Sequence, residues 1–114
     1  MKRNKEVTKV VKLANKIGGL YASTEEYFSE ESLDAVVGIY LVDLKSNMTL
    51  TIEVDDYSDK KDISDELYML ADDFNEEFTE SELIPDLKKQ GYTDEDIDRM
   101  RKHINTLYKD YTFG

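Results

Sequence analysis

Two short runs, "AVVGIYLVDL" at residues 35–44 and "MTLTIEV" at residues 48–54, constrain this chain more than any other feature. Both are rich in β-branched and aromatic residues, and the second alternates apolar with polar, the period of a strand with one buried face. Ser46-Asn47 lies between them, and asparagine tolerates the left-handed backbone that tight turns require. The spacing predicts a β-hairpin over residues 35–55. A two-residue turn at Ser46-Asn47 pairs Leu41 with Ile52 and Ile39 with Val54. Val37, Ile39, Leu41, Leu50, Ile52 and Val54 then share one face, the expected core face. Tyr40, Val42 and Leu44 fall opposite, with Thr49, Thr51 and Glu53. That second face is either covered by a helix or is a binding surface.

Helical periods flank the hairpin. Val7, Val10, Val11, Ala14 and Ile17 form an apolar stripe over residues 4–17, which Gly18-Gly19 ends. Ile63, Leu67, Leu70, Phe74 and Phe78 predict a helix over residues 62–78, with Asp62 as its N-cap and Asp65 three residues later. Pro85 opens a short helix that Gly91 closes. Thr93 and Asp96 then start a final helix lined by Ile97, Met100, Ile104, Leu107 and Tyr111. Residues 20–34 send conflicting signals: a short strand at Leu20–Ala22, or helix starts in "STEEYF" and "SEESL". The expected fold is α+β, a single domain over residues 1–114. It has an N-terminal helix, a central β-hairpin that a third antiparallel strand would extend, an acidic helix and a C-terminal helical hairpin.

Charge is segregated. The net charge is −11, but residues 1–19 carry +5, residues 20–52 carry −5, residues 53–98 carry −14 and residues 99–114 carry +3. Residues 62–86 hold ten carboxylates and no lysine or arginine. A solvated face needs no such arrangement. Glu76 and Glu77 oppose the dipole of the predicted helix, and Asp73 with Glu77 is a like-charge pair one turn apart. Asp65, Glu66, Asp72, Asp73, Glu76 and Glu77 fall opposite the apolar stripe and, with Glu80, are the expected partner-binding residues. Regularly spaced carboxylates occupy positions where a basic protein expects phosphates.

Other classes fit less well. With no cysteine, thiolate catalysis and Cys-ligated zinc are excluded. No apolar run approaches the roughly 20 residues of a membrane span, and no apolar segment follows the basic N-terminus; a cytoplasmic protein without a signal peptide is expected. A calcium loop from Asp55 would place Asp59 at position five and Glu66 at position twelve. It would also place Tyr57 and Lys60 where an oxygen ligand and a glycine are required, so no metal or cofactor is expected. Residues 86–109 have the outline of a DNA-reading helix pair, but Asp94, Glu95, Asp96 and Asp98 would repel phosphates. Direct nucleic-acid binding is not expected. His103 stands alone among charged neighbours and is expected at the surface. No phosphate loop or nucleophile elbow appears, and an enzyme is not expected. Tyrosines and phenylalanines gather at Tyr21, Tyr27, Phe28 and Tyr40, and at Tyr108, Tyr111 and Phe113; tyrosines beside carboxylates suit a protein interface.

In size, charge and lack of a catalytic motif, the chain resembles the small acidic inhibitors of phages and mobile elements, the anti-CRISPR and anti-restriction proteins that mimic DNA. The resemblance implies a bacterial host cytoplasm, a basic nucleic-acid-binding protein as partner and inhibition without catalysis. It carries no residue roles and no fold. The alternative is a regulatory or assembly subunit. It would bind a partner, or itself in an oligomer of undetermined size, through Tyr40, Val42 and Leu44 or through an open strand edge.

Overall fold

The computed structural model describes residues 4–31, 33–75 and 82–114. In chain order the elements are α1 (Lys5–Lys16), β1 (Leu20–Ser29), β2 (Asp34–Asp43), β3 (Thr49–Val54), α2 (Lys60–Asn75), α3 (Leu83–Lys89) and α4 (Asp94–Phe113). The three strands form one antiparallel sheet in the order β1-β2-β3, so the fold is α+β.

Each helix forms where its apolar stripe lies. Val7, Val10 and Ala14 of α1 are buried, as are Ile63, Leu67, Ala71 and Phe74 of α2 and Ile97, Met100, Ile104, Leu107 and Tyr111 of α4. These side chains join Leu20, Ala22, Val37, Ile39, Leu41, Leu50, Ile52 and Val54 of the sheet in one contiguous core. The capping box of Thr93 and Asp96 is present at the start of α4. At α2 the box sits one turn earlier than the sequence suggests. Asp59 Oδ1 accepts from the Asp62 amide at 2.9 Å and Asp62 Oδ2 accepts from the Asp59 amide at 3.1 Å. Asp62 is therefore the third helical partner of the cap rather than the cap itself.

The hairpin register also differs. Leu41 pairs with Leu50, Ile39 with Ile52 and Val37 with Val54. The loop is longer than two residues because Asp43 still pairs across it: its amide donates to the Met48 carbonyl at 2.9 Å. Asp43 also accepts from the Ser46 amide at 3.1 Å and the Ser46 hydroxyl at 2.6 Å. These bonds draw the chain into a broader turn, with Asn47 at φ 62. The shift is two residues, an even number, so every side chain keeps its expected face.

Residues 20–29 resolve as strand. All ten pair with β2, from Leu20 opposite Asp43 to Ser29 opposite Asp34. Cross-strand packing overrides the capping signals of Ser23 and Thr24, because β2 offers a full-length apolar partner. Asn15 seals part of the outer edge of β1. Its Nδ2 donates to the Ala22 carbonyl at 3.2 Å and its Oδ1 accepts from the Ala22 amide at 2.8 Å.

Candidate functional site

The sheet and α2 enclose a groove of about 530 Å³. The β1–β2 turn and the start of β2 supply Glu31 and Asp34, the end of β3 and the residue after it supply Glu53 and Asp55, and the first turns of α2 supply Asp62, Asp65 and Glu66. No lysine, arginine or histidine is among its described lining residues. Three of these carboxylates also shape the backbone. Asp34 Oδ1 accepts from the Ala35 amide at 2.8 Å, Asp55 Oδ1 from the Tyr57 amide at 2.8 Å, and Asp62 belongs to the cap of α2. Amide donors orient a carboxylate but leave its charge in place. Lys61 stands 3.8 Å from Asp65 outside the lining, with both side chains largely exposed. Such a pair contributes little in water.

Of the expected partner-binding residues, Asp65 and Glu66 enter the groove. Asp72 and Asp73 lie farther along α2, half-buried and outside it. Glu76, Glu77 and Glu80, together with Phe78, lie outside the described residues. Sequence reasoning missed Glu31, Asp34 and Glu53, which come from elements distant in sequence. The segment "DDYSDKKDISDE" carried a usable signal. Its spacing rejects a calcium loop, yet Asp55, Asp62, Asp65 and Glu66 from it line the groove together. Among the described residues no cluster of three or more His, Asp or Glu side chains is placed to hold a metal ion.

A second carboxylate site is built in the opposite manner. Asp43, at the end of β2, is fully buried. Arg99 of α4 donates to it from Nε at 3.0 Å and from Nη2 at 2.8 Å, and Arg99 also pairs with Asp96 at 2.7 Å. His103 is buried too, with Nε2 3.2 Å from Asp43 Oδ1, which corrects its expected surface position. The physical reason is that α4 turns Arg99 and His103, one turn apart, toward the same sheet end. Burial pushes the Asp43 carboxyl up, but the hydrogen bonds from Arg99 and Ser46 outweigh it and hold the group well below the usual carboxylate range. No side chain here is an unpaired buried polar group. The cluster fastens the β2–β3 turn to α4.

The sheet face away from the helices carries Tyr21, Ser23, Glu25 and Tyr27 from β1, Gly38, Tyr40 and Val42 from β2, and Thr49, Thr51 and Glu53 from β3. Tyr21 is exposed; Tyr27, Tyr40 and Val42 are half-buried. Tyr27 crosses above Gly38, where a Cβ would come within 2.8 Å of its ring, and its hydroxyl donates to Glu53. The Tyr40 hydroxyl donates to Glu25 at 3.1 Å. The Glu53 hydrogen bond pushes the Tyr27 hydroxyl up to about 12, and the Glu25 bond raises that of Tyr40.

Comparison with protein-family models, with curated proteins and with solved structures returns no match. Fold and site together define an α+β protein with an acid-lined groove. No helix among the described residues is long and apolar enough to cross a membrane.

Proposed function

We propose that this chain is a small acidic inhibitor that binds a basic nucleic-acid-handling protein, such as a CRISPR effector or a restriction enzyme, in a bacterial cytoplasm. The groove carries this reading: residues bearing seven carboxylates, from three parts of the chain, line one space with no basic residue in its described lining. Bringing like charges together opposes folding, and an outside cation relieves that repulsion. A protein surface evolved for phosphates supplies such cations in a row. The partner's DNA or RNA and this chain then compete for the same lysines and arginines.

The test begins with capture of partners from a bacterial lysate at low and at high salt. Duplex DNA is then titrated against each purified complex. The expected result is a nucleic-acid enzyme released both by salt and by DNA, and bound at least about tenfold more weakly by Glu31→Gln/Asp65→Asn/Glu66→Gln. A partner held equally well by that variant, or indifferent to competing DNA, overturns the reading.

One observation favours a second reading, an assembly subunit that pairs through a strand edge. Asn15 plugs the edge of β1 at Ala22, whereas no described side chain bonds the backbone of Thr49–Val54 in the other edge strand. That version predicts salt-insensitive association.

A further inference from the structure

We infer that the open sheet face, continuous with the acidic groove, receives arginine side chains of the same partner; this rests on the basic-partner reading above. The face is unusual in composition. β1, β2 and β3 contain no lysine or arginine at all, although exposed strands ordinarily carry such residues against aggregation. Glu25, Gly38 and Glu53 stand on one rung of the sheet. Two carboxylates therefore flank a glycine, and the Tyr27 ring lies across the gap.

The two tyrosine hydroxyls bond Oε2 of Glu53 and Oε2 of Glu25, which fixes both carboxylates and leaves Oε1 of each as an acceptor. Tyr21, 51% exposed, extends the aromatic floor beside Tyr40. A flat ring next to an oriented carboxylate matches a guanidinium, which stacks through its plane and donates through its edge. An ammonium gains the charge but loses the planar stacking and the fork. Glu53 and Val36 belong both to this face and to the groove lining, so one basic segment reaches both without leaving the surface.

The experiment is an amide-resolved NMR titration of the full chain with octa-arginine and, separately, octa-lysine. Both peptides are expected to shift Asp65 and Glu66 in the groove. Only octa-arginine is expected to shift Ser23, Gly38 and Thr51, and to bind about fivefold more tightly than octa-lysine. Tyr21→Thr/Tyr40→Thr lowers that preference, with Tyr27 still in place, and leaves octa-lysine affinity unchanged. If the double variant unfolds earlier than the native chain, Tyr21→Thr alone halves the preference without touching a half-buried ring. Equal affinities for the two peptides, shifts confined to the groove, or a preference undiminished by loss of Tyr21 and Tyr40 overturns the arginine inference and leaves the groove reading standing. Absence of shifts in both regions overturns the two together.

Discussion

Asp43 and the groove acids are the same chemical group in opposite circumstances. Asp43 is fully buried and surrounded by Arg99, His103 and Ser46. The groove lining holds seven carboxylates and, among the described residues, no basic side chain; Lys61 pairs loosely with Asp65. Where this fold needs a charge for its own structure, it supplies partners from both sides of the core. Where it supplies none, the proposed function assigns the charge to a basic partner outside the chain. A carboxylate removed from water requires compensation several-fold stronger than one left in it, so the two regions respond differently to perturbation.

The largest expected effect is at the buried end. Asp43→Ala strands Arg99 and His103 and costs about 3–5 kcal/mol of folding stability, measured by urea unfolding. Acid sharpens the same contrast. The folded Asp43 carboxyl is depressed, as are those of Asp96 and Asp98 beside Arg99 and Lys102. A depressed folded value means stability that is complete above the unfolded value of about 3.9 and drains away as the pH falls through the folded value. Unfolding followed from neutral pH downward should show this loss, and Asp43→Asn should flatten it.

The next effect compares the two hairpin loops. In both, the last loop residue donates its amide back to the end of the preceding strand: Leu33 to Ser29 at 2.8 Å, Asn47 to Asp43 at 2.7 Å. Both residues are left-handed, at φ 56 and φ 62. Asparagine suits that backbone, whereas leucine is strained there and its side chain is exposed. Leu33→Asn is expected to raise stability by about 1 kcal/mol in thermal unfolding. No gain would mean that Leu33 relieves its strain through a contact at the groove rim.

Smaller still is the effect of emptying the groove of charge. Glu31→Gln/Asp65→Asn/Glu66→Gln should leave stability within about 0.5 kcal/mol of the native chain, with any change upward as repulsion is relieved. A loss comparable to that of Asp43→Ala would erase the distinction between the two regions. Lys61→Met, which removes only an exposed pair 3.8 Å long, should change stability least, by less than about 0.5 kcal/mol.

Local periodicity determined much of this protein without any knowledge of its tertiary structure. The stripes of α1, α2 and α4, the Thr93–Asp96 box and the two faces of the β2–β3 hairpin all follow from side chains a few residues apart, and a slip of two residues in register leaves those faces intact. Three things were decided only when distant segments met. Residues 20–29 became a strand because β2 gave them a partner along their whole length. His103 and Arg99 turned inward because Asp43, 60 and 56 residues away, waited at the end of β2. Glu31, Asp34 and Glu53 joined Asp65 and Glu66 because the sheet ends against α2. Contacts of that kind depend on which elements pack together, and packing is a property of the whole core rather than of any window of sequence.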